Sequence, residues 1–111
     1  GGSRLVFMSE DLQLAGARAL AACLHTDTTV THLDLIYNGF LLEGTRELAD
    51  VLSTNYSLLT LNYQFNDIGD EGCGVLAEAL RINTSLTSLN LSNNSIGSRG
   101  ARSLADMLRF N

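Results

Sequence analysis

A step of 28 residues recurs along the whole chain and constrains its fold more tightly than any other feature. Leu33, Leu61 and Leu89 are separated by it. So are Leu35, Tyr63 and Leu91, then Asn38, Asn66 and Asn94, then Phe40, Ile68 and Ile96. Gly44, Gly72 and Gly100 follow, with Leu48, Leu76 and Leu104, and Leu52, Leu80 and Leu108. One step back stand Leu5, Phe7, Leu12, Gly16, Leu20 and Leu24, with Glu10 in place of an asparagine. Four units, about 2–29, 30–57, 58–85 and 86–111, therefore account for the 111 residues as a single domain.

Within a unit the hydrophobic period changes. His32-Leu33-Asp34-Leu35-Ile36 alternates, which predicts a short strand with one buried face. Gly72, Leu76, Ala79 and Leu80 recur at helical spacing, which predicts an amphipathic helix. Asn-Asp-Ile-Gly and Asn-Ser-Ile-Gly join the two and suit a turn. Asp70 and Ser98 are expected to act as helix N-caps. Asn55, Asn83 and Asn111 are expected to end helices in the left-handed conformation. Gly44, Gly72 and Gly100 fall inside helices, where glycine costs about 1 kcal/mol relative to alanine. Close packing on the strand layer is the expected compensation.

One strand–helix unit cannot bury its apolar face alone, whereas stacked units share a continuous core. The expected fold class is therefore α/β: a strand–helix solenoid with a parallel sheet on a concave face and helices on the convex one. Helices are wider than strands, so the stack curves with the strands inside.

Composition removes several classes of function. The net charge is −5, and all seven cations are arginines. An acidic chain without a basic cluster does not suit nucleic acid. Without lysine there is no P-loop or Schiff-base chemistry, and the glycine-rich run Gly69–Gly74 sets acids where phosphate would sit. The apolar runs are far short of the roughly 20 residues of a membrane span, and no signal-peptide pattern is visible. Cys23 and Cys73 form no CxxC pair, which points to reduced thiols in a cytoplasmic protein. Their columns read as packing positions. Cys23, His25 and His32 fit no metal-ligand spacing. His32 and Asp34 share a strand face without a nucleophile, so no catalytic site is expected. Neither a metal nor any other cofactor is implied. The N-x-S/T sequences at Asn55, Asn83 and Asn93 carry weight only in a secreted chain.

Leu86-Thr-Ser-Leu89-Asn-Leu91-Ser-Asn-Asn94-Ser-Ile96 resembles the L-x-x-L-x-L-x-x-N-x-L core of leucine-rich repeats. The 28-residue length and the Gly100…Leu104…Leu108 helix resemble the ribonuclease-inhibitor type. The resemblance implies a right-handed horseshoe segment and an intracellular, protein-binding role. It also implies that Asn38, Asn66 and Asn94 bond the backbone of the turns, with Glu10 marking an irregular first repeat. Family members usually have more units and terminal caps, so a piece of a longer array is expected. Leu5, Phe7, Leu108 and Phe110 would then be poorly covered at the two ends.

On an alternating strand, the residues between the buried leucines face the concave side. These are Arg4, Val6 and Met8, then His32, Asp34 and Ile36, then Thr60, Asn62 and Gln64, then Ser88, Asn90 and Ser92. Tyr37, Phe65 and Asn93 lie just beyond. Aromatics ringed by polar groups are favoured hot spots. The expected partner site comprises Met8, His32, Asp34, Ile36, Tyr37, Asn62, Gln64 and Phe65. The alternative is that both rings fold over the turn and cover the core edge. Two further functions compete with passive recognition. One is a regulator of a bound enzyme such as a GTPase, for which Arg99 is the arginine placed in a turn. The other is a structural unit that self-associates through its uncapped ends.

Overall fold

The computed structural model describes residues 3–109 and 111. Strands and helices alternate as β1 (Ser3–Val6), α1 (Gln13–Leu24), β2 (Val30–Asp34) and α2 (Leu41–Leu52). They continue as β3 (Thr60–Asn62), α3 (Gly69–Ile82), β4 (Ser88–Asn90) and α4 (Ser98–Leu108). The strands form one parallel sheet in the order β1-β2-β3-β4. Leu33 lies opposite Leu61, and Leu61 opposite Leu89. Leu5 pairs with Leu33 after a register shift between Ser3 and Arg4, so the first repeat pairs despite Glu10. Each helix packs on the next, α1 on α2, α2 on α3 and α3 on α4. This is the strand–helix solenoid that the 28-residue step implies.

The core lies between the two layers. Leu33, Leu35, Leu52, Leu58, Leu61, Tyr63 and Leu76 are fully buried, each burial being worth about 1.5–3 kcal/mol. Columns identical in sequence diverge at the ends. Leu24, Leu52 and Leu80 are buried, but Leu108 is 66% exposed. Val51, Ala79 and Met107 are buried, whereas Cys23 in the same column is exposed. The packing role expected for Cys23 therefore fails, because its side of α1 faces no helix among the described residues. Leu5 and Phe7 are half-buried, and Phe110 lies outside the described residues.

Two ladders of side-chain amides tie the repeats together. In the first, Asn66 donates to the Leu35, Tyr63 and Gln64 carbonyls, and its Oδ1 accepts from the Asn38 N–H at 3.0 Å. Asn94 donates to the Tyr63 carbonyl at 2.7 Å, and its Oδ1 accepts from the Asn66 N–H at 2.8 Å. Asn38 bonds the Phe7 carbonyl, and its Oδ1 accepts from the Glu10 N–H. All three asparagines are buried, where an unpaired amide would be costly.

The second ladder corrects the expectation for the helix ends. Asn83 is extended, at φ −68° and ψ 128°, rather than left-handed. Asn55 is also absent from the left-handed set. Asn83 donates to the Leu52 and Asn55 carbonyls of the preceding repeat, and its Oδ1 accepts from the Ser85 and Leu86 N–H groups. Asn55 does the same with Leu24, Asp27, Ser57 and Leu58. Asn111 donates to the Leu80 and Asn83 carbonyls. Asp27, one step earlier, accepts from the Thr29 and Val30 N–H groups. These two bonds hold its carboxyl below the usual aspartate range.

The expected N-caps are also corrected. None of the helices has a side-chain bond from its own N-cap residue. Asp70 lies inside the first turn of α3, and its Oδ1 accepts from the Gly97 and Gly100 N–H groups at 2.7 and 2.9 Å. It thus caps α4, the helix of the next repeat. Ser98 is the first residue of α4 and caps nothing. The helical glycines are tight for a different reason from the one expected. A Cβ at Gly44 would lie 2.8 Å from the Phe40 Cβ, and one at Gly72 would lie 2.5 Å from the Ile68 Cβ. At these two the crowding comes from the apolar turn residue four positions earlier, and at Gly100 from Ile96 and the Asp70 Oδ1, each 2.7 Å away, not from the strand layer.

Candidate functional site

Alternation along the strands sorts the side chains. With the leucines turned inward, His32, Asp34, Thr60, Asn62 and Asn90 stand half-exposed on the open sheet face, and Arg4 and Ser88 are exposed. Register brings Arg4 opposite His32, His32 opposite Thr60, and Asp34 opposite Asn62. A shallow depression of about 170 Å³ lies there, lined by Arg4, His32, Leu33, Asp34, Thr60 and Asn62. His32 Nδ1 is 2.8 Å from the Thr31 hydroxyl. Asp34 and Asn62 have a structural task as well. The Asp34 Oδ1 accepts from the Ile36 N–H at 3.2 Å, and the Asn62 Oδ1 from the Gln64 N–H at 3.3 Å. Asn90 does the same for Ser92. Among the described residues, no three His, Cys, Asp or Glu side chains converge as a metal site.

Backbone pairing continues beyond the strands. The Tyr37 N–H donates to the Gln64 carbonyl at 3.0 Å, and the Phe65 N–H to the Ser92 carbonyl at 3.3 Å. Ile36 and Gln64 are half-exposed, and Met8 is exposed. Tyr37 and Phe65 are 62% and 44% exposed, with ring centroids 6.0 Å apart and planes tilted by 37°. The rings therefore pair with each other in solvent and do not lie buried over the core. With Asp67, Asn93, Gly39 and Asn66 they border a depression of about 280 Å³.

The backbone at this pair is unusual. Tyr37 and Phe65 have φ of 60° and 59°, in one column with Ser9 at 55° and Asn93 at 60°. Asparagine tolerates this left-handed region, but a bulky side chain there costs roughly 1–2 kcal/mol relative to glycine. Leu41 repeats the situation at φ 54°, in the column where the next repeat has Gly69 at φ 66°. The periodicity named the ring pair but gave no sign of this strain, since the column contains serine and asparagine as well. The left-handed backbone is imposed by the inter-repeat bonds. The Leu41 N–H donates to the Asn66 carbonyl as the Gly69 N–H does to Asn94.

A family model for the leucine-rich repeat matches residues 54–77 and 83–105, which take in most of the third repeat and most of the fourth. Among solved structures, the chain is similar to leiomodin-1 actin-binding site 2, with a TM-score of 0.85 at 22% identity. The match covers 94% of this chain and 62% of that one, so the chain spans under two thirds of the structure it resembles. At that identity the likeness is one of fold. A search of curated proteins finds no match.

Proposed function

We propose that this chain is a protein-recognition module that binds a partner on its open strand face, with the ring pair Tyr37–Phe65 as the anchor. The observation that carries the reading is the exposure of two adjacent aromatic rings in strained backbone, bordering the half-exposed side chains of Met8, His32, Asp34, Ile36, Asn62 and Gln64. The left-handed backbone recurs at Ser9 and Asn93, so what sets repeats two and three apart is the ring pair, and paired aromatics supply contact area with few rotatable bonds. Among the described residues, no acid–base–nucleophile arrangement stands on this face.

The leucine-rich-repeat match and the similar actin-binding structure both support a protein as the partner class. The 28-residue period supports the ribonuclease-inhibitor type of repeat, and a cytoplasmic setting agrees with two free cysteines. Replacing Tyr37 and Phe65 together by alanine tests the reading. A partner recovered with the intact chain should bind the double variant at least about tenfold more weakly, as expected for loss of a hot spot worth about 1.4 kcal/mol or more. Equal affinity with intact folding would remove the proposal.

A further inference from the structure

We infer that the partner's contact turns the corner from the strand face at Gly39 and runs along the loop edge to Leu41, and that this edge seats a basic segment carrying an apolar side chain. The inference rests on the protein-recognition reading and adds a second surface and a partner chemistry to it. Gly39 lines two depressions at once. One is the hollow of about 280 Å³ beside Tyr37 and Phe65. The other, about 660 Å³, lies between the starts of α1 and α2 and is walled by Leu14, Phe40, Leu41 and Leu42. The two hollows share Gly39, and a segment crossing it would follow a trough from the rings to the leucines.

Leu41 and Tyr37 are 50% and 62% exposed, and both hold the left-handed backbone. Repeat three has glycine in the Leu41 column and repeat four has asparagine in the Tyr37 column, Gly69 and Asn93, residues that take this backbone readily. In repeat two, both positions instead carry apolar side chains left facing solvent. The inter-repeat bonds hold this backbone in the free chain, and both side chains are left in solvent, where a bound segment could cover them.

Charge selects the segment. The loops at 8–13, 36–41, 64–69 and 92–97 contain three side chains charged at neutral pH, Glu10, Asp11 and Asp67, all acids. Asp67 lines the ring hollow, and Asp11 Oδ1 lies 3.8 Å from where a Gly39 Cβ would stand. Glu43 at the leucine end is bridged to Arg46 at 3.7 Å, on the helix behind it. An arginine or lysine entering the trough would meet carboxylates and two ring faces, while an acidic segment would be repelled.

The test uses the intact chain and a phage-displayed library of random twelve-residue peptides. Two variants replace residues of repeat two by those that later repeats carry at the same positions. The edge variant is Tyr37→Asn with Leu41→Gly, and the strand-face variant is His32→Ser with Ile36→Ser. The edge changes relieve strain, so both proteins should fold. Selected peptides should carry net positive charge and at least one large apolar residue, and their affinity should fall about tenfold or more in the edge variant, whether or not the strand-face variant also weakens it. Acidic or neutral peptides, no enrichment, or a loss confined to the strand-face variant would overturn the inference. The last result would leave strand-face recognition standing, whereas that reading fails separately if the Tyr37/Phe65 alanine pair leaves partner affinity unchanged.

Discussion

Tyr63 stands where Leu35 and Leu91 stand in the neighbouring repeats, and its hydroxyl must find a partner in an apolar core. It pairs with the Thr45 hydroxyl at 2.9 Å, and its ring stacks on Phe40 with centroids 5.7 Å apart. Burial pushes the phenol above the usual tyrosine range. The folded chain therefore holds the proton while the unfolded chain loses it near pH 10. Stability should be unaffected below that pH and should fall above it, by up to about 1.4 kcal/mol per pH unit from this group. Tyr63→Phe should flatten that decline in urea melts between pH 9 and 11, while a slope identical to the parent's would refute the assignment. The asparagines separate in the same way. Asn66→Ala strands the Leu35 carbonyl and the Asn38 N–H in the core and should lower stability by about 2–4 kcal/mol, whereas Arg102→Ala on the exposed side of α4 should change it by less than about 0.5 kcal/mol. Tyr37→Asn should raise the melting free energy by about 1 kcal/mol as the left-handed strain is relieved. A loss of that size would mean that the ring supports the fold.

The strand–turn–helix unit was legible because its two hydrophobic periods are independent of neighbours. What joins one unit to the next was not. Asp70 sits in the sequence like an N-cap of its own helix, and only the stacked geometry shows its carboxylate at the start of α4. Asp70→Ala should lower stability by about 1 kcal/mol and speed amide exchange at Gly97 and Gly100, leaving the start of α3 unchanged. Faster exchange at α3 instead would restore the local cap. The Asn55, Asn83 and Asn111 column was visible at the same step of 28. Its meaning was missed because a helix-end asparagine has a ready local explanation, and the preceding repeat's carbonyls are 28 or more residues away. The left-handed loop positions escaped for the same reason: the residue types in those columns are mixed, and the constraint comes from the neighbouring repeat's backbone.

Across the whole molecule, one register does two things. It aligns leucines into a core, and it carries unlike side chains into neighbouring positions on the open face. The columns that pack were readable because their residues repeat. The candidate site consists of the positions that do not repeat, such as Tyr37, Phe65 and Asn93, so periodicity could locate it but not describe its exposure or strain. The partner's footprint on the chain tests this account most directly. Hydrogen–deuterium exchange with the bound partner should show protection at residues 32–37 and 60–67, while the outer surfaces of α2 and α3 exchange as in the free chain. Protection confined to those helices, with the strand segments unchanged, would contradict it.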